Sequence, residues 1–144
     1  MIDTSDFDKA RKMLMKESSP VIVKASGDQF NRKIIEYGKF DILLSPEKGE
    51  RKGSLRSIDS GFNEVLARIS AKNGISIGID IQELRSLPKK EKATRLSKIK
   101  QNIRLCRKAG VRISLLGGRD QRDATQLLMA LGASTMQIKR AIFL

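Results

Sequence analysis

An α/β fold with a parallel sheet is what this sequence predicts, and three observations carry that expectation. Four short runs are rich in β-branched and aliphatic residues: PVIVKA (20–25), FDILLS (40–45), ISIGIDI (75–81) and VRISLL (111–116). Segments with helical spacing separate them. Pro, Gly and Asn punctuate most of the junctions. Strands that are apolar throughout, alternating with helices, belong to a parallel sheet covered by those helices.

The elements follow in order. Ser5 to Glu17 reads as a helix, with Thr4 or Ser5 as its cap and Phe7, Ala10, Met13 and Leu14 at helical spacing. Pro20 stops it and opens the first strand. Asp28 to Tyr37 is a second helix, ended by Gly38. The strand at 40–45 runs into a polar loop, SPEKGERKGSLRS (45–57). Ile58 to Lys72 is a helix carrying Phe62, Val65, Leu66 and Ile69, stopped at Asn73-Gly74. After the third strand, LRSLP (84–88) is a connection and Lys89 to Ala109 a long helix ended by Gly110. The fourth strand leads to the loop GGRDQRD (117–123), with Asp123 as a candidate cap. Helices at 124–131 and 135–142 close the chain.

The 144 residues suit a single domain, with 1–19 as an N-terminal helix and 20–144 as βα units. Two architectures fit the alternation. One is an open doubly wound sheet. The other is an arc of a (β/α) barrel, whose full ring needs on the order of 250 residues. An arc leaves strand edges bare, so a partner chain or a second copy, as a homodimer or heterotetramer, is expected to cover them.

Charge narrows the function. There are 29 Lys and Arg against 16 Asp and Glu, a net +13. Such an excess attracts polyanions, nucleic acid first among them. Six aromatic residues are few for stacking single strands, which favours contacts to the phosphates of folded RNA or a duplex. With no histidine and one cysteine, Cys106, the usual zinc sites and histidine-based triads have no ligands or bases. The lone cysteine fits a reducing, cytoplasmic setting. No apolar run approaches a membrane span, and no signal peptide or membrane association is expected.

The stretch from Leu87 to Arg112 holds ten Lys or Arg and one acid, Glu91. Leu96, Ile99, Ile103 and Cys106 form an apolar stripe, which makes it a helix packed on the sheet. Arg95, Lys98, Lys100, Arg104, Arg107 and Lys108 fill the remaining circumference. A plain solvated face mixes charge signs, and this one does not. The loops after successive strands gather on one face of any parallel βα fold. Lys24, then Lys48, Arg51, Lys52 and Arg56, then Arg85, Lys89 and Lys90, then Arg119 and Arg122 follow the four strands in turn. The alternatives are chance in a basic chain or a rim that binds phosphates. Asp80 ends the third strand, which suits a helix cap, a partner for Arg85, or a catalytic acid. Cys106, on the apolar stripe, reads as core.

The ordered series FDILLSP (40–46), a basic loop, SIDSGFNEVLARISAKNGISIGIDIQEL (57–84), a basic helix, VRISLLGG (111–118) and QRDATQLLMALG (121–132) resembles the ribonuclease P protein component 3 family, the archaeal and eukaryal thirty-kilodalton subunit. The likeness includes an apolar-Asp pair opening a helix, here Ile58-Asp59, and an Arg-Asp pair opening another, here Arg122-Asp123. Leu116-Gly117-Gly118 stands where the family often has Ser-Ser-Gly. The resemblance implies a TIM-like (β/α) barrel, here a short form of about four strands lacking the opening ones. It implies a non-catalytic, RNA-binding subunit of an archaeal ribonucleoprotein whose RNA, with magnesium, removes 5′ leaders from precursor tRNA. The expected partners are ribonuclease P RNA, precursor tRNA and ribonuclease P protein component 2, with no cofactor held by the protein. The RNA-contacting residues expected are Lys48, Arg51, Lys52, Arg56, Arg85, Lys89, Lys98, Arg104, Arg119 and Arg122. Two other readings stay open: a small βα-barrel enzyme acting on a phosphorylated metabolite through Asp80 and Arg85, and a scaffold that binds protein alone.

Overall fold

The computed structural model describes residues 1–49 and 58–144. Its elements are α1 (Phe7–Leu14), β1 (Ile22–Lys24), α2 (Asp28–Tyr37), β2 (Ile42–Leu44), a 3-10 turn (Pro46–Lys48), α3 (Glu64–Lys72), β3 (Ser76–Asp80), α4 (Ile81–Ser86), α5 (Lys89–Ala109), β4 (Ile113–Leu116), α6 (Gln121–Ala130), α7 (Thr135–Lys139) and β5 (Ile142–Phe143). All five strands pair in parallel, in the sequential order β1-β2-β3-β4-β5.

That order decides between the two architectures. A doubly wound sheet reverses its order at a switch point and carries helices on both faces. Here the strands follow the chain. Leu43, Ile77, Ile79, Ile113 and Leu115 share one buried cluster with Ala10, Ile34, Ile35, Leu66, Ala67, Ile99, Ile103, Cys106, Ala124 and Leu128. These strand residues lie on one sheet face, because side chains alternate along a strand and the pairing is in register. The helices therefore pack on that face, and the fold is a partial (β/α) barrel.

The other face is lined by different residues. Lys24, Leu44, Gly78, Ser114 and Ile142 are register partners across the five strands. Small side chains allow the strands to curve around this face. A Cβ on Gly78 would lie 2.8 Å from Ile42 Cγ2 and 3.0 Å from Leu44 Cδ1, too close to be accommodated without movement. The hydroxyls of Ser76 and Ser114 hydrogen-bond across it at 2.8 Å, which satisfies two buried polar groups.

Several element bounds differ from the sequence expectation. Helix α1 is capped by Asp6, whose carboxylate accepts from Asp8 and Lys9 N–H, rather than by Thr4 or Ser5. Helix α3 begins at Glu64, not Ile58, because Asn63 caps it through Leu66 N–H. Upstream, Ser60 is held by Gln101 of α5 and by Phe62, so Ile58-Asp59 precedes the helix rather than opening it. Asp120, not Asp123, caps α6, and Arg122-Asp123 fall in its first turn. The expected connection at 84–88 overlaps a short helix, α4, which follows β3 without a loop. The last helix stops at Lys139, and the chain turns back into a fifth strand. Leu144 N–H donates to Leu115 O, and Gly117 N–H to Leu144 O. At the opposite edge Ile2 bridges to Val23, with Ile2 N–H on Ile22 O and Lys24 N–H on Ile2 O. The first residues thus extend the sheet before α1 begins. Among the described residues no helix is long and apolar enough to cross a membrane.

Candidate nucleic-acid interface

Parallel strands bring every strand C-terminus to one rim, and each βα connection there carries cations. Lys24 closes β1 and pairs with Asp3 at 2.7 Å, which holds its ammonium charged. After β2 the chain turns sharply. Ser45 takes a left-handed backbone (φ 53°), which costs a non-glycine residue on the order of 1 kcal/mol. Its N–H is held by Gly78 O at 2.9 Å. Pro46 then starts the 3-10 turn and directs Glu47 inward.

Glu47 is 1% exposed. Neither carboxylate oxygen finds a hydrogen bond among the described residues, and the Arg95 guanidinium approaches only to 3.6 Å. Arg95 is shared with Glu83 at 3.4 Å, and Glu83 also pairs with Lys48 at 2.7 Å. Burial pushes the Glu47 carboxyl up to about 7 against the pull of Arg95. Glu83 stays below the usual carboxylate range: burial opposes ionisation there, but Lys48 and Arg95 together outweigh it. Lys98 is buried too, and its Nζ donates to Gly49 O at 3.0 Å. A charged cluster from the 3-10 turn, α4 and α5 thus anchors the chain where residues 50–57 begin.

This corrects the expectation that Arg95 and Lys98 lie on the solvent side of α5. A helical wheel places Arg95 about 40° from Ile99 and about 20° beyond Cys106, at the edge of the apolar stripe. Asn102 lies on the same side and is buried with neither amide atom hydrogen-bonded among the described residues. Glu47 carried no comparable signal, because it sits in a polar, turn-rich segment.

Other expected residues are exposed. Arg85 on α4, Lys89 at the start of α5, and Arg119 and Arg122 around the start of α6 have no ion pair among the described residues, and neither does Lys90. Between these elements lies a cleft of about 230 Å³ floored by Ile81, Leu84, Leu96 and Leu127, with Arg85 and Lys92 at its lip. Arg104 is exposed but lies about 22 Å along α5 from Lys89, away from this rim. Arg51, Lys52 and Arg56 lie outside the described residues. Asp80 caps α4, accepting from Glu83 N–H at 2.9 Å, so its carboxylate is engaged by backbone. Among the described residues no three Cys, Asp or Glu side chains gather into a metal-binding group. Cys106 is buried, and burial raises its thiol to about 12.

What this rim can do is hold a polyanion: it presents exposed cations without an ion pair among the described residues, beside an apolar cleft. No protein-family model matches the chain. Among curated proteins, it is 33% identical over 95 residues to ribonuclease P protein component 3 of Methanosarcina mazei, covering 66% of this chain and 36% of that protein. It is 25% identical over 114 residues to the same component of Methanococcus vannielii, covering 79% and 46%. With that of Methanocaldococcus jannaschii it shares 28% over 91 residues, covering 63% and 36%. Its fold matches a chain in a structure of archaeal ribonuclease P with mature tRNA, with a TM-score of 0.80, 21% identity, and coverage of 96% of this chain and 61% of that one. By sequence the chain is similar to ribonuclease P protein component 3, and it spans less than half the length of these relatives.

Proposed function

We propose that this chain is a non-catalytic, RNA-binding subunit of ribonuclease P that supports RNA-catalysed 5′-leader removal from precursor tRNA. The observation that carries this reading is the row of unpaired cations at the C-terminal rim, Arg85, Lys89, Lys90, Arg119 and Arg122, in a chain of net charge +13. Cations collected on one face, with no ion pair among the described residues, repel each other and gain energy when phosphates approach. The similarity to component 3 proteins supports ribonuclease P RNA as that polyanion. Arg51, Lys52 and Arg56 follow the same β2 corner in sequence and belong to the proposed contact set. Lys48 and Lys98 hold the corner that precedes them in sequence.

In this account the chain contributes no acid, base or nucleophile. Its residues neutralise phosphates and hold the folded RNA in place, while magnesium serves the RNA. Ribonuclease P protein component 2 is the proposed protein partner, and the cytoplasm the proposed compartment.

Binding of a labelled ribonuclease P RNA across a salt series tests the reading. Affinity should fall steeply as salt rises, with a log–log slope of about −0.9 for each phosphate neutralised. Arg119→Gln with Arg122→Gln should make that slope shallower by about two. An RNA affinity independent of salt, or unaffected by the double substitution, contradicts the assignment.

A further inference from the structure

The opposite end of the barrel arc carries a second basic site. Helix α5 starts at the rim and runs 21 residues, about 32 Å, to the N-terminal ends of the strands. There its last turn, the entry to β4 and the two ends of α7 border a half-open cavity of about 100 Å³. Arg107, Arg112 and Arg140 line it, together with Ser134. All three arginines are exposed, and none forms an ion pair among the described residues.

Three guanidinium groups around one small cavity need an explanation. The α5 C-terminus carries roughly half a negative charge, which suits Arg107. It leaves more than two positive charges uncompensated, and Arg112 and Arg140 are on other elements. The walls are also fixed in place. Gly110 takes a left-handed turn with its N–H on Cys106 O. Gln137 is buried, donates to Ile103 O of α5 at 2.9 Å and completes a capping box with Ser134. The backbone that carries the three arginines around the cavity is therefore fixed, and their exposed side chains have no carboxylate to pair with among the described residues. A planar guanidinium offers paired N–H donors matched to phosphate oxygens. The cavity volume equals about three waters, enough for one phosphate group.

We infer that Arg107, Arg112 and Arg140 form a phosphate-binding site, and that its ligand is a backbone phosphate of RNA. The identity of that ligand rests on the RNA-binding reading above; the site itself does not. Together with the rim about 30 Å away along α5, it lets one chain hold two segments of RNA at once.

The test uses the double variant Arg112→Gln and Arg140→Gln, whose exposed positions leave the core intact. Two probes are used: inorganic phosphate, read by its effect on thermal unfolding, and a labelled ribonuclease P RNA, read by the salt dependence of binding. Phosphate should raise the melting temperature of the unmodified chain more than that of the variant. The salt slope for RNA should become shallower by about two. Equal phosphate stabilisation of both proteins overturns the site. A lost phosphate effect with an unchanged RNA slope overturns RNA as its ligand. No RNA binding by the unmodified chain overturns the RNA-binding reading, and with it RNA as the ligand here, while the phosphate comparison still decides whether the site exists.

Discussion

Replacing Glu47 by Gln should abolish most of the pH dependence of stability between pH 5 and 8. The carboxyl is 1% exposed, and burial raises it from 4.5 to about 7. A carboxyl with a raised folded pKa binds its proton more tightly in the native chain than in the unfolded one. The stability it contributes is fully present below about pH 4.5 and is lost as pH rises through about 7. At about 1.4 kcal/mol per unit, the loss between pH 5 and 8 is roughly 2–3 kcal/mol. The chain suits the measurement because it has no histidine, and Cys106 titrates near 12. Glu64, held ionised by Lys108 at 2.6 Å, is remote from the substitution and the same in both proteins, so its contribution cancels. Urea unfolding at pH 5 and pH 8 reads the effect. The unmodified chain should lose roughly 2–3 kcal/mol over that span and the variant almost none. The same pH dependence in both proteins, or a gain in stability of the unmodified chain as pH rises, would refute this role for Glu47. The second result would mean that Arg95 at 3.6 Å outweighs the burial of Glu47.

Further outcomes follow from particular contacts. Gly78→Ala should destabilise by about 1–3 kcal/mol in urea unfolding, because its Cβ meets Ile42 and Leu44 on the face away from the helices. Gly38→Ala should cost at least about 1 kcal/mol in the same assay. Its φ is +71°, and the new Cβ lies 2.6 Å from Asn73 Nδ2, which donates to Ile35 O. Cys106 should resist alkylation by iodoacetamide at pH 8 in the native chain and react once urea unfolds it, since the thiol is both buried and held protonated.

Much of this fold was legible because its elements are long or strongly patterned. The runs around Ile42, Ile77 and Ile113 sit in the sheet as expected, and α5 keeps its expected bounds from Lys89 to Ala109. What escaped is short or non-local. Six residues of α4 are too few to show a helical period. Strand β5 is two residues after Lys139-Arg140, and the pattern there continues a helix as readily as it turns into a strand. The bridge at Ile2 is a single pairing made across the sheet. Caps moved by a few residues because Asp120 and Asp123 are chemically equivalent in sequence, and only the backbone path decides which accepts the N–H groups. At the candidate interface, sequence placed Arg85, Lys89, Arg119 and Arg122 on one rim, and the parallel topology puts their loops at one end of the sheet. It missed Glu47 and misjudged Arg95 and Lys98, whose burial depends on how the 3-10 turn meets α5. The three-arginine cavity was invisible because Arg107, Arg112 and Arg140 converge from three elements.

The proposed role is tested most directly by cleavage of a precursor tRNA by ribonuclease P RNA at limiting magnesium, with and without this chain. The assay should include ribonuclease P protein component 2, the partner the account names. Added chain should raise the rate, and the gain should shrink as salt rises and in the Arg119→Gln, Arg122→Gln variant. A rate that does not change when the chain is added contradicts the account.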